Sequence, residues 1–291
     1  MNWAHLDERI EGVAAGRAEK RIAYALADQY VPYGYSEFLI SEVAWMVQQN
    51  PSRRPKCMLI FGESGCGKSM ILNEVVRRFA APEASAEMPV VSVDLPSATD
   101  MRPFFIRVLR ALDYPFSQYD RKDVLYDQMV MALKVANTRV LVIDELHNLL
   151  LARKGMEECM VTLRDMVNIP LSILSAGTQS ARVCVAADDQ LKHRFRCHPM
   201  GKWKVSQSTR DFVATLESRL PLLKPSNLAD KEILVQLVSK CGGHPATIVT
   251  VIREAAREAI LCGEESIDRG ILEKVMTRIL AEKYEATNDR A

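Results

Sequence analysis

Apolar and polar positions change rhythm twice along the 291-residue chain. Residues 1–30 are rich in Ala, Glu and Arg, contain no proline, and predict a helical arm. Pro32 ends that arm, because proline cannot continue a helical hydrogen-bond ladder. Phe38, Leu39, Val43 and Met46 then recur at helical spacing and predict a helix over 36–49. A polar break follows at 51–55. From residue 57 the pattern becomes short continuous apolar runs: 57–61, 89–93, 140–143 and 171–174. Such runs suit strands buried on both faces. Helical stretches lie between them, at about 67–80, 102–112, 121–136 and 156–168. Strands alternating with helices predict a parallel α/β sheet. Beyond residue 207 only helical patterns remain, at 208–220, 229–240, 244–261 and 267–283, before a polar tail (285–291) expected to fray. The pattern therefore predicts an N-terminal helical segment (1–50), an α/β core (51–206) and a C-terminal helical domain (207–291).

Composition narrows the classes. With 48% apolar and 26% charged residues, a disordered chain is excluded. Lys and Arg number 38 against 37 Asp and Glu, which excludes a uniformly basic binder but not a local basic stripe. No apolar run approaches the roughly 20 residues of a membrane span. The acidic N-terminus lacks the apolar core of a secretory signal, so a cytoplasmic location is expected. Seven scattered cysteines without a C-x-x-C pair argue against a zinc or disulfide framework.

The chemistry concentrates after the first apolar run. Gly62, Glu63, Ser64, Gly65, Cys66, Gly67, Lys68 and Ser69 match G-x-x-x-x-G-K-[ST] between a strand and a helix, and these residues with Met70 are the expected nucleotide-binding set. Glycines let such a loop turn its N–H groups inward around phosphate oxygens. The helix N-terminus adds a positive dipole end. Lys68 is expected to bridge the β and γ phosphates of ATP, and Ser69 to hold Mg²⁺. Cys66 within this loop is a candidate for oxidation. The run 140–143 ends in Asp144 and Glu145. A buried strand that ends in two carboxylates delivers both to the sheet edge where open α/β folds bind ligands. Asp144 is expected to hold the Mg²⁺, and Glu145 to polarise the attacking water.

These motifs and a helical C-terminal domain resemble the AAA+ superfamily of P-loop ATPases. The resemblance implies a polar sensor 1 residue after the next strand, for which Thr178 is the first candidate and Gln179 the second. It implies a trans-acting arginine, assigned to Arg194, then Arg196, with Arg182 weaker. The sensor 2 arginine of the family is missing from Gly242, Gly243, His244 and Pro245, and Arg253 lies two turns later. Asp144 to Leu150, Arg194 to Trp203 and Leu216 to Leu222 further resemble transposition-regulator ATPases of the TniB/TnsC type, relatives in role of MuB. That resemblance implies a homo-oligomer, ring or filament, that assembles with ATP on double-stranded DNA. It also implies recruitment of a separate transposase with a targeting protein, and disassembly on hydrolysis. Arg102, Arg107, Arg110, Arg121 and Lys122 are the DNA candidates. Lys192, Arg194, Arg196, Lys202 and Lys204 form a second basic segment, better suited to a subunit interface. Rival readings are an origin-recognition or loader ATPase, and a signalling ATPase that binds proteins only.

Overall fold

A computed structural model of the chain describes residues 3–49, 55–82, 85–97, 100–151 and 156–288. Two compact units emerge, Ser36–Gly201 and the combination of Met1–Tyr35 with Lys202–Ala291. This division differs from the three parts read off the pattern. The N-terminal segment is divided at Tyr35, its first part joining the C-terminal helices and its second the α/β unit. The polar break at 51–54 lies outside the described residues, and so do residues 289–291 of the tail.

In the α/β unit, α3 (Gly34–Gln48) precedes β1 (Cys57–Gly62), α4 (Lys68–Arg78), β2 (Val90–Asp94), α5 (Arg102–Ala111) and α6 (Lys122–Val135). Next come β3 (Val140–Asp144), a 3-10 turn (Leu146–Leu151), α7 (Met156–Met166) and β4 (Ser172–Gly177). The unit closes with α8 (Gln179–Ala187), α9 (Asp189–Arg194) and β5 (Phe195–Met200). The five strands form a sheet in the order β2-β3-β4-β1-β5. Every pairing is parallel. Leu59, Phe61, Leu141, Ile143 and Ile173 face a core that includes Phe104, Phe105, Leu125, Met129 and Leu163. The intervening Met58, Ile60, Val142 and Leu174 are equally buried, so both faces are covered, as the continuous apolar runs require.

β5 is a strand that the pattern does not reveal. Its sequence, Phe195-Arg196-Cys197-His198-Pro199-Met200, buries only its two ends. It pairs with β1 alone and forms the sheet edge, where polar side chains and a proline are tolerated. Part of the basic segment expected at an interface is therefore an edge strand.

The second unit is helical. α1 (Glu11–Ala14) and α2 (Ala18–Leu26) join α10 (Gln207–Ser218), α11 (Lys231–Lys240), α12 (Pro245–Cys262) and α13 (Arg269–Asn288). The expected arm over 1–30 is thus broken into short pieces, and helix continues into the expected tail as far as Asn288. Arg21 of α2, 5% exposed, explains how the N-terminal piece is held. Its Nε and Nη2 donate to the Pro221 carbonyl at 3.0 and 2.8 Å, and its guanidinium pairs with Glu265. A buried arginine is tolerated only when so many of its donors are satisfied.

Candidate nucleotide site

The loop from Gly62 to Gly67 leaves the C-terminal end of β1 and enters α4. Its glycines serve different needs. A Cβ on Gly62 would lie 2.1 Å from the Met200 carbonyl oxygen, so the end of β5 forbids any side chain there. Gly65 and Gly67 have φ of 77° and 87°, the left-handed region that glycine enters without penalty. Gly67 is the N-cap of α4 and supplies no side-chain cap, so the first N–H groups of the helix are left for a ligand. Lys68 Nζ donates to the carbonyls of Gly62 (3.0 Å) and Glu63 (2.8 Å), which folds its ammonium back across the loop. Cys66 is 2% exposed. A thiol so buried is poorly reached by oxidants, which weighs against oxidation at this position.

β4 lies between β1 and β3, yet α4 packs across the sheet and brings its first turn to the end of β3. Ser69 Oγ donates to Asp144 Oδ2 at 2.6 Å. The other oxygen of Asp144 accepts the Glu145 backbone N–H at 2.7 Å. Asp144 itself is 9% exposed. A hydroxyl and a carboxylate in contact are hard oxygen donors of the kind that Mg²⁺ uses together with phosphate and water, so the pair fits that ion. Glu145 has φ of 57°, uncommon for a residue with a side chain, and its carboxylate is about half exposed. His147 Nε2 lies 3.1 Å from Glu145 Oε2. The sequence places His147 two positions after the acidic pair, where a local structural role or a relay of nucleotide state is open, and the structure adds its contact with Glu145.

The remaining candidates are dispersed. Thr178 follows the end of β4, and its hydroxyl meets Ser180 Oγ at 2.6 Å while making no cap bond to the helix backbone. Gln179 begins α8. Arg194 sits at the opposite edge of the sheet, since the register pairs Cys57 with Phe195. Its Nη2 donates to Asn168 Oδ1 at 2.9 Å, while Nη1 is buried without a partner among the described residues. Arg196 reaches Glu42 at 3.4 Å. Arg182 lies over the Phe61 ring, 5.3 Å from its centroid, on the nucleotide side of the sheet. Burial pushes the Cys57 thiol up to about 11, which makes it inert at the base of β1.

Within the helical unit, Gly243 approaches Trp203 so closely that a Cβ would lie 2.5 Å from its carbonyl oxygen. Trp203 packs on Tyr33 and Phe212, with ring centroids 5.9 and 4.5 Å away. Arg253 is engaged inside its own unit, by Asp28 at 2.9 Å and the Gln29 carbonyl at 3.3 Å.

Among the DNA candidates, Arg102 donates to the Gln118 carbonyl and Arg107 to the Asp94 carbonyl at 3.0 Å. Arg121 pairs with Asp123 at 3.1 Å and Lys122 with Glu158. The Arg110 side chain is exposed and makes no hydrogen bond or ion pair with any described residue. Tyr119, 85% exposed, lies in the same α5–α6 connection.

Solved proteins share this fold. The Aeropyrum pernix ORC2 protein, solved as ADPNP-ADP complexes, is similar with a TM-score of 0.64 and 13% identity, over 87% of this chain and 71% of that one. The A. pernix ORC1 protein in complex with DNA has a TM-score of 0.64 and 16% identity, over 88% and 69%. Drosophila ORC bound to DNA has a TM-score of 0.61 and 13% identity, over 92% and 67%. At such identities the likeness is one of fold, that of the AAA+ P-loop ATPases. No curated protein matches the chain significantly. Among the described residues no helix is long and apolar enough to cross a membrane. The family model for the bacterial TniB protein matches residues 21–205. That match covers more than half of the sequence, from α2 through the nucleotide edge of the sheet to the end of β5, and the chain belongs to the TniB family.

Proposed function

We propose that this protein is a cytoplasmic, ATP-hydrolysing regulator of DNA transposition that oligomerises on double-stranded DNA and recruits a transposase, assisted by a targeting protein. The observation that carries the reading is the contact of Ser69 with Asp144 at 2.6 Å, in a chain of the TniB family.

The loop N–H groups and the N-terminus of α4 bind the phosphates of ATP. Lys68 moves from the carbonyls of Gly62 and Glu63 to the β and γ phosphates, exchanging neutral acceptors for charged ones. Ser69 and Asp144 hold Mg²⁺, which when bound offsets phosphate charge. Glu145 accepts the proton of the attacking water. Arg194, at the sheet edge opposite its own loop, suits a γ-phosphate on a neighbouring subunit. That contact ties assembly to ATP, because hydrolysis removes the group it recognises. Thr178 senses the same phosphate in its own subunit. Arg102, Arg107, Arg110, Arg121 and Lys122 address DNA phosphates, a few per subunit, and oligomerisation supplies the multiplicity.

Electron microscopy of the protein with duplex DNA and a non-hydrolysable ATP analogue tests this. Rings or filaments are expected only with both ligands, and persistent monomers overturn the reading. The fold likeness to ORC proteins favours a second reading, a loader ATPase. ATP-dependent stimulation of strand transfer by a transposase separates the two, since a loader gives none.

A further inference from the structure

Asp144 and Glu145 are neighbours with different anchoring. Asp144 is buried and both its oxygens are engaged. Glu145, with φ of 57°, swings its side chain outward, where it is 48% exposed. A glutamate has three side-chain torsions, so a half-exposed carboxylate wanders unless something holds it. His147 supplies that hold through Nε2, 3.1 Å from Glu145 Oε2. The proton of a neutral ring must sit on Nε2, because a bare nitrogen lone pair facing a carboxylate oxygen repels it. Nδ1 is buried and has no partner among the described residues.

The turn that carries the ring is itself fixed. Asn148 donates its backbone N–H to the Glu145 carbonyl at 2.8 Å and its side-chain amide to the Leu95 carbonyl at 2.8 Å. The end of β4 closes on the same turn, since a Cβ on Gly177 would lie 3.4 Å from the His147 backbone nitrogen. The second oxygen, Glu145 Oε1, makes no hydrogen bond or ion pair with any described residue.

We infer that His147 is a positioning residue: it fixes one oxygen of Glu145 so that the other is presented to the attacking water. The inference deepens the proposed function and rests on its assignment of Glu145. In the step concerned, the water oxygen bonds to the γ-phosphorus as the bond to the bridging oxygen breaks. ADP keeps that electron pair, and the water proton passes to Glu145 Oε1. His147 keeps its own proton throughout and acts only through Glu145.

The test compares the wild-type full chain with His147→Ala and His147→Gln, whose amide can donate at the place of Nε2. Steady-state ATPase with duplex DNA is measured beside equilibrium binding of a fluorescent ATP analogue. His147→Ala is expected to lower kcat about 10- to 100-fold while KM and analogue affinity stay within about twofold. His147→Gln is expected to recover kcat to within about threefold of wild type. If His147→Ala does not fold, His147→Asn, whose amide falls short of Oε2, takes its place. The ¹⁵N spectrum of the ring gives a readout independent of turnover: Nε2 protonated in the wild type, with that preference lost in Glu145→Ala. Wild-type or higher kcat in His147→Ala, a His147→Gln no better than Ala, or a wild-type ring protonated on Nδ1 overturns the inference. A wild type that does not hydrolyse ATP instead overturns the hydrolytic reading, and the ring spectrum then decides the pairing by itself.

Discussion

The nucleotide edge of the sheet and the basic α5–α6 segment both address phosphate in the proposed function, and they are built in opposite ways. At the sheet edge the donors are mainly backbone N–H groups, held by glycine geometry and by strands buried on both faces. In the α5–α6 segment the donors are long side chains, and four of the five already have partners within the chain. The first arrangement is set by backbone conformation. The second must exchange internal partners for external ones, so each contact adds little. The difference teaches that one proposed phosphate site is set by backbone conformation and the other by competition among charges.

Breaking the first site should have the largest effect. Gly62→Ala drives a Cβ into the Met200 carbonyl at 2.1 Å and must displace β5. A loss of about 2–4 kcal/mol is expected in chemical denaturation, and a loss under about 0.5 kcal/mol contradicts the close approach. Lys68→Ala leaves the glycines of the loop in place but removes its one positive charge. Nucleotide affinity is expected to fall about 100-fold by calorimetry, and ATP-dependent assembly to vanish with it. Assembly that survives this change breaks the link between loop and oligomer.

The far end of α4 gives a third, smaller test. Glu74 is buried and bound by Arg77 at 2.7 Å and Arg78 at 2.6 Å, and Arg78 reaches on to Glu37 of α3. The hydrogen bond from Arg77, followed by that from Arg78, holds the Glu74 carboxyl below its ordinary range despite the opposing effect of burial. A carboxyl lowered on folding stabilises the native state above its unfolded pKa, and that stabilisation is lost as pH falls through the folded value. Stability should therefore drop on acidification below about pH 4, and the drop should be smaller in Glu74→Gln. At neutral pH Glu74→Gln is expected to cost about 1–2 kcal/mol, read by thermal melting across pH. An unchanged acid limb in the variant removes Glu74 from the account.

The smallest effect sharpens the comparison from the other side. The Arg110 side chain makes no hydrogen bond or ion pair with any described residue, whereas Arg121 is paired with Asp123. Arg110→Glu should weaken duplex binding about 3- to 10-fold and lower the salt slope by roughly 1, while Arg121→Glu changes affinity no more than about twofold. Equal effects in salt titrations mean that internal pairing does not grade these arginines.

The parts legible in the sequence are those whose cause is local. The runs at 57–61 and 140–143 are apolar on every residue because both faces of their strands are covered, and no neighbour is needed to read that. The glycine loop is legible because left-handed φ and the close approach of β5 demand glycine. β5 was hidden because its polar middle follows from an edge position that only the strand order reveals. Arg253 drew attention as a late relative of the missing sensor 2 residue, yet its partner, Asp28, is 225 positions away in the chain. Arg194 is legible as part of a basic segment, but not its contact with Asn168.

The sequence by itself determined the glycine loop, the acidic strand end, the alternating core and the helical C-terminal region. Each rests on periodicity or on backbone conformations that a few adjacent residues dictate. Only the tertiary structure decided that Ser69 meets Asp144 across an intervening strand, that His147 Nε2 lies 3.1 Å from Glu145 Oε2, and that the first 35 residues belong with the last 90. Those contacts join residues whose spacing carries no signal, because a side chain's partner across the fold depends on where packing brings the second element.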